Sequence, residues 1–391
     1  MGSREITLRY GCNPHQNPAR ITMESGEIPF RVLNGAPGYI NMLDALNSWQ
    51  LVLELRRATG LPAAASFKHV SPAGAAVGLP LDDVLRQSYF VGDAELSPLA
   101  AAYARARGAD RLSSFGDWVA LSDTVDASTA KLIRREVSDG VIAPGYDADA
   151  MEILHDKKSG RYVVIEMDPS YEPQEMESRQ VFGVTLQQKR NDAVINADML
   201  RNIVTEDSGL PDAAIRDLLV AQVALKYMQS NSVCLAVDGQ VIGAGAGQQS
   251  RVHCTRLAGA KADTWYLRQH PAVLGLRYRD TVSRAQRNNA VDLYLRDDLT
   301  PAEEAHWRKM FVEAPQRLSA AEKREWLGGL SGVSLASDAF FPFRDSIDRA
   351  SQSGVRYVVQ PGGSVGDESA IQACNEYGMV MAFSGVRLFH H

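Results

Sequence analysis

The stretch Ser66-Phe67-Lys68-His69-Val70-Ser71-Pro72-Ala73-Gly74-Ala75-Ala76 decides how the chain is read. Small apolar residues from Ala63 to Phe67 predict a buried strand that stops at two adjacent basic side chains. Ser71 suits a helix N-cap and Pro72 the first helical position, where proline's missing N–H would be unpaired anyway, so a helix is expected from Pro72. Lys68 and His69 then fall at the carboxyl end of a strand, at the edge where open α/β sheets bind ligands. A Lys-His pair on such a loop is as often solvated and idle, so the rest of the chain has to decide.

Outward from this stretch, helices and strands alternate. Asn41 to Thr59 carries helical spacing in Leu43, Leu46, Trp49, Leu51, Val52 and Leu55. Helix is expected at Ala100–Ala106, Ala127–Val137 and 148–154, and strand at Trp118–Leu121, Val141–Ala143 and Tyr162–Glu166. The acidic, two-proline stretch Asp168–Glu177 reads as a linker, dividing the chain into lobes at 1–172 and 173–391. The second lobe opens with a helix over Asp212–Gln229. Strands Ser232–Val237 and Gln240–Ala246 follow, joined at Asp238-Gly239, a strong two-residue hairpin signal. Gln248–Leu257 turns helical. The charged segment at about 266–330, with Thr300-Pro301 and Ser319 as helix starts, reads as a small helical insertion. Strands at Val333–Ala336, Tyr357–Val359 and Met379–Phe383 alternate with helices to the end. The pattern is α/β, with mixed sheets covered by helices.

The chain has 391 residues, too many for one simple core, and a net charge of −6, which argues against a broad nucleic-acid surface. No apolar run approaches the ~18 residues of a membrane span, and Met-Gly-Ser-Arg-Glu-Ile lacks a signal-peptide core. Cys12, Cys234, Cys254 and Cys374 form no C-x-x-C pair, so free buried thiols in a reducing cytoplasm are expected.

Several chemistries are excluded by spacing. Gly243-Ala244-Gly245-Ala246-Gly247 lacks the third glycine of a dinucleotide fingerprint, since Gln248 stands there, and no G-K-[ST] follows. It reads instead as a tight turn delivering Gln248, Gln249, Ser250 and Arg251 to a helix start. A deaminase zinc site needs H-x-E and P-C-x-x-C; Ser71 follows His69 at the glutamate position, and the second motif is missing. There is no G-x-S-x-G elbow. What remains is polar residues at element ends, among them Arg9, Lys68, His69, Asp139, Asn231, Arg251, Asp345 and Arg387, with the arginines suited to clamp a phosphate.

Together these segments resemble the aminoimidazole carboxamide ribonucleotide (AICAR) transformylase part of the bifunctional purine biosynthesis protein family. The matching stretches are Leu8-Arg9-Tyr10-Gly11 with Asn13 to Gln16, Ser66 to Ala76, Lys226-Tyr227 with Gln229 to Val233, Gly245 to Ala258, Ser337 to Asp345, and Arg387 to His391. The resemblance implies transfer of a formyl group from 10-formyltetrahydrofolate to the 5-amino group of AICAR, the penultimate step towards inosine monophosphate, yielding formyl-AICAR and tetrahydrofolate. It implies two cytidine-deaminase-like lobes without the deaminase zinc.

Residue by residue, the resemblance makes His69 the general base, Lys68 the oxyanion stabiliser and Asn231 a third catalytic group. Arg9, Tyr10, Gly116, Asp139, Arg251, Phe340 and Arg387 match the AICAR pocket, while Val252, Asp345, Ser364 and Val365 match the folate side. Ser230, Ser232, Asp338 and Leu388 match a structural potassium site, with Met228 standing where animal members carry threonine. A cytoplasmic homodimer with shared active sites is implied, with no membrane or nucleic-acid partner, and no cyclohydrolase domain is expected in this chain. Two other readings compete: a deaminase or hydrolase using the lobes' ancestral site, against which the absence of metal ligands speaks, and a non-catalytic nucleotide- or folate-binding regulator, against which the retention of Lys68-His69 with Asn231 and Asp345 speaks.

Overall fold

The computed structural model describes residues 4–23 and 26–391; the reading of Met1-Gly2-Ser3 as lacking a targeting signal lies outside them. The chain opens with a small antiparallel ladder, β1 (Glu5–Leu8) with β2 (Ala19–Thr22), joined by the loop that carries Arg9 and Tyr10. After β3 (Phe30–Asn34), α1 (Tyr39–Thr59) starts where the Asn41 side chain accepts from the Gly38 N–H, and it stops at the left-handed Gly60. Next come β4 (Ala63–Phe67), β5 (Pro72–Val77), α2 (Asp83–Ser88), α3 (Pro98–Gly108), β6 (Asp117–Leu121), α4 (Ala127–Arg135), β7 (Ser138–Ala143), α5 (Ala148–His155) and β8 (Val163–Met167).

The expected helix from Pro72 is instead β5, paired antiparallel with β4 from Ala63↔Val77 to Phe67↔Pro72. Local propensity lost to packing. A Cβ on Gly74 would sit 2.1 Å from the Ala106 carbonyl oxygen, so α3 lies directly on this strand and only an extended, side-chain-poor segment fits beneath it. Ser71-Pro72 is thus the exit of a hairpin turn rather than a helix cap.

The expected linker ends in structure: β9 (Met176–Val181) and β10 (Val184–Lys189) form a separate two-stranded hairpin, exposed along its whole length. Then α6 (Asp212–Lys226), β11 (Val233–Val237), β12 (Gln240–Gly245) and α7 (Arg251–Leu267) follow. Helices α8 (Pro271–Leu274), α9 (Arg284–Leu295), α10 (Pro301–Arg308) and α11 (Ala320–Leu327) pack around their own apolar cluster, which includes Trp307 and Phe311. Capping boxes at Ser283, Thr300 and Ser319 start α9, α10 and α11, the last two at the residues read as helix starts. The chain ends with β13 (Val333–Ser337), α12 (Asp345–Ser351), β14 (Val355–Gln360), α13 (Asp367–Glu376) and β15 (Val380–Phe383). Cys234, Cys254 and Cys374 are buried free thiols, but Cys12 is exposed, contrary to the expectation for all four.

Eleven strands form one continuous mixed sheet, in the order β15-β14-β13-β11-β12-β5-β4-β6-β7-β8-β3, rather than a sheet for each lobe. Its two halves repeat one topology that the sequence does not betray. In each, a helix (α1 or α6) precedes a hairpin (β4–β5 or β11–β12), whose first strand pairs antiparallel with the next (β6 or β13). Two further strands then add in parallel (β7 and β8, or β14 and β15). The halves meet where β12 pairs with β5, Gln240 opposite Ala76.

Candidate active site

The register of the sheet places the candidate residues along one edge. Phe67 pairs with Trp118 and Trp118 with Gly140, so Lys68 and His69, Gly116, and Asp139 stand side by side at the ends of β4, β6 and β7. Because β12 runs antiparallel to β5, the end of β12 reaches the same edge. There the Ser71 hydroxyl oxygen accepts from the Gln229 N–H at 3.3 Å, and the Gln229 carbonyl accepts from the Gly247 N–H at 2.7 Å. The start of β11 and the end of β13, with Asn231, Ser232 and Asp338, continue the line.

Lys68 to Ser71 form a two-residue hairpin turn closed by both backbone hydrogen bonds between Lys68 and Ser71, 2.9 and 3.3 Å long. Its central residues are left-handed, His69 at φ 54° and Val70 at φ 58°. Such turns favour Asn-Gly or Asp-Gly; side chains here cost on the order of 1–3 kcal/mol each, most for a β-branched residue. Two contacts hold the turn. The Lys68 ammonium donates to the Phe115 carbonyl at 2.6 Å, tying it beside Gly116. The buried carboxylate of Asp44, on α1, accepts from the Val70 N–H at 2.7 Å, and the His69 N–H also reaches it. Burial pushes the Asp44 carboxyl up, against the opposing pull of these two amides and of His69. The His69 side chain is left exposed. Asp139 is exposed and paired with Lys158 at 3.0 Å.

The second cluster is buried and centres on Asp338. One carboxylate oxygen meets the Arg251 guanidinium; the other accepts from the Ser230 hydroxyl, the Ser232 hydroxyl and the Ser232 N–H. Arg251 also donates to the Ser337 hydroxyl (3.0 Å), the Ser232 carbonyl (3.3 Å) and the Asn231 amide oxygen (2.7 Å), and Asn231 in turn donates to the Gln248 and Gln249 carbonyls. Arg251 was expected to clamp a phosphate; most of its donors are committed inside the protein, where they fix Asn231. The C-terminal segment is drawn in as well. Leu388 N–H donates to the Asp338 carbonyl and His390 N–H to the Ser230 hydroxyl, leaving Arg387 exposed over the Phe389 ring at 4.6 Å.

The residues matching a potassium site therefore close on one another. Their oxygens serve Asp338, Arg251 supplies the positive charge, and Met228 is fully buried with only a soft thioether to offer. Hydroxyl, carboxylate and carbonyl oxygens are donors a hard cation takes, but here the hydroxyls turn to Asp338 and its charge is met by Arg251. Among the described residues, no group of His, Cys, Asp and Glu could hold a metal.

Phe340 is exposed two residues beyond Asp338, and Asp345 begins α12. Ser364 and the fully exposed Val365 are brought to the same region because Gly366 lies against the Pro342 carbonyl. Val252 sits in the first turn of α7. Arg9 and Tyr10 stand apart: the guanidinium lies 5.8 Å from the ring, and among the described residues no hydrogen bond joins either to the two clusters. Sequence reasoning missed Asp44, whose signal was a lone acid between Met42 and Ala45 in a buried helix stripe, and the Phe115 carbonyl, which no side-chain pattern announces.

The family described as AICARFT/IMPCHase bienzyme matches residues 1–261. The bifunctional purine biosynthesis protein PurH of Cereibacter sphaeroides is 32% identical over 394 residues, covering 100% of this chain and 60% of its own. PurH of Magnetococcus marinus is 33% identical over 391 residues, covering 98% and 59%, and that of Ruegeria sp. 32% identical over 389 residues with the same coverage. The chain thus spans about 60% of the length of these curated relatives.

Proposed function

Since the chain belongs to the AICARFT/IMPCHase bienzyme family, we propose that it carries the formyl-transfer activity: 10-formyltetrahydrofolate and AICAR give tetrahydrofolate and formyl-AICAR. The observation that supports this best is the Lys68-His69 turn, which presents an ammonium and an imidazole together on one rigid hairpin at the sheet edge. The 5-amino group of AICAR is conjugated with its imidazole and is a weak nucleophile. It attacks the formyl carbon while His69 accepts its proton, which requires a neutral imidazole. A C–N bond forms and the formyl oxygen becomes an oxyanion, stabilised by the Lys68 ammonium, whose position the Phe115 carbonyl restrains. Collapse of the intermediate breaks the bond to N10 of the folate, which leaves as tetrahydrofolate after taking up a proton.

In this reading Asn231, held by Arg251, faces the carboxamide, and Arg9, Arg387 and the free edge of Arg251 meet the phosphate. Phe340 covers the imidazole, with Tyr10, Gly116 and Asp139 completing the AICAR pocket. Val252, Asp345, Ser364 and Val365 bind the folate. The lobes are 1–172 and 173–391, each deaminase-like, a division consistent with the repeated topology of the sheet.

The active form is a homodimer. Asp139 on β7 and Asn231 just before β11, both placed at the nucleotide, are five strand steps apart, about 24 Å at the usual spacing, more than a nucleotide covers. Residues of one pocket are thus best supplied by two chains. The exposed β9–β10 hairpin, with Met176, Val181, Phe182, Val184 and Leu186 open to solvent, offers apolar surface for that contact. The test is to mix the protein with AICAR and 10-formyltetrahydrofolate and follow tetrahydrofolate release; no turnover at dimer-forming concentration overturns the reading.

A further inference from the structure

The two halves of the sheet share a device. In the second half, Asp217 of α6 accepts the Asp238 N–H at 2.8 Å and the Gly239 N–H at 2.7 Å, holding the turn between β11 and β12. Its central residues are left-handed at φ 49° and 73°. In the first half Asp44 of α1 accepts the Val70 and His69 amides in the turn between β4 and β5, left-handed at φ 54° and 58°. Asp44 and Asp217 each stand five residues after the first residue of their helix, Tyr39 and Asp212. The scaffold thus clamps both hairpin turns with a helix aspartate.

The sequences at the two turns differ in a way that changes what the clamp must do. Asp238-Gly239 is the pair such a turn prefers, and it would form with little help. His69-Val70 is a poor pair, with a β-branched residue where glycine belongs. Relaxed towards ordinary φ values, the turn would swing the Lys68 and His69 side chains away from the edge.

We propose that Asp44 is a positioning residue that holds the His69-Val70 turn left-handed and so aims Lys68 and His69 at the substrate. It rests on the formyl-transfer reading and adds to it a residue outside the set matched to the family. The clamp opposes the strain, so relieving the strain at Val70 should lessen the need for Asp44.

Full-length Asp44→Ala, Asp44→Asn, Val70→Gly and Asp44→Ala/Val70→Gly variants test this, with Asp217→Ala as control. Asp44→Ala is expected to lower kcat about 100-fold, the order expected for an ångström-scale misplacement, with the KM for AICAR little changed. Asp44→Asn, which keeps one acceptor oxygen, loses less and serves if the alanine variant does not fold. Adding Val70→Gly to Asp44→Ala restores part of the lost kcat, because glycine takes the left-handed conformation freely. Asp217→Ala lowers the unfolding midpoint but leaves kcat per folded protein unchanged.

A folded double variant as slow as Asp44→Ala alone overturns the proposal. Unfolding provides an arm without substrate: Asp44→Ala should lower the midpoint less in the Val70→Gly background, and equal losses in both backgrounds overturn the clamp. An inactive wild type would overturn formyl transfer, while the unfolding cycle still decides whether Asp44 holds the turn.

Discussion

The guanidinium of Arg251 and the carboxylate of Asp338 meet inside the protein, their side chains 6% and 0% exposed, and the whole second cluster hangs on that contact. A buried pair of this kind is weak evidence of net stabilisation, but removing one partner strands a charge. Arg251→Met is therefore expected to cost about 3–5 kcal/mol, because it leaves the buried Asp338 carboxyl group without its cation. Asp338→Asn with Arg251→Met removes both charges and should recover much of that loss. Denaturant unfolding of the single and double variants gives the coupling; additive losses would mean that the pair is not the hub of the cluster.

Lys68 and His69 are predicted to separate by kinetic signature from their supports. His69→Ala should lower kcat for formyl transfer by about 10²–10⁴, the range for a lost general base, with a small change in the KM for AICAR. Lys68→Met should cost about 10²–10³ through lost oxyanion stabilisation. Both side chains are partly or fully exposed, so unfolding midpoints should move little. A His69→Ala variant at full rate would leave the base to another group, with Lys68 unaffected by that result.

Because Arg251 supplies the cation at Asp338 and the Met228 side chain offers no oxygen, the rate should not depend on which monovalent salt is present. Assays in potassium, sodium and tetramethylammonium chloride at equal ionic strength check this. A rate that collapses in tetramethylammonium and returns with potassium would show that the serines open into an ion cage on binding.

Several local elements were legible because they announce themselves in sequence. A basic pair ends an apolar run at Phe67, Asp238-Gly239 signals a hairpin, and Ser319 and Thr300 signal helix starts. The hairpin at Lys68 to Ser71 was not legible, since Ser71-Pro72 is as good a helix cap as it is a turn exit. What decided between them was α3 lying on Gly74, a contact some thirty residues away in sequence. The topological repeat was hidden for a similar reason: strand order and helix placement recur, while the turn residues and the insertion between α7 and β13 do not. Asp44 escaped notice, and Asp338 was named only for a potassium site, because the importance of a buried acid lies in what folds around it.

If each pocket takes Lys68 from one chain and Asn231 from another, two inactive variants should complement. Lys68→Met and Asn231→Ala dimers, dissociated and reassociated together, give half mixed dimers by random pairing. Each mixed dimer holds one site with neither substitution, so about a quarter of wild-type activity should return in a symmetric dimer. Mixed dimers that form, as seen by differential tagging, but stay inactive would place both residues of a site in the same chain.

Acid should loosen the helical segment through Glu136, which follows α4. Its carboxylate meets Arg111 at 2.9 Å, Arg284 of α9 at 3.1 Å and Arg107 at 3.2 Å, with a side chain only 9% exposed. Burial pushes its pKa up, but Arg111, Arg107 and Arg284 outweigh this and hold it at about 2, below the ordinary 4.5. A carboxylate with a depressed folded-state value stabilises the fold fully above the unfolded value and loses that contribution as pH falls towards the folded one. The window is thus pH 4.5 down to about 2, and the contribution is about 3 kcal/mol. Glu136→Gln should lower stability at neutral pH and flatten its fall across that window. Since Arg284 belongs to α9, hydrogen exchange at low pH should release α9 before the central strands. Equal acid slopes for wild type and Glu136→Gln would show that other carboxylates govern acid unfolding.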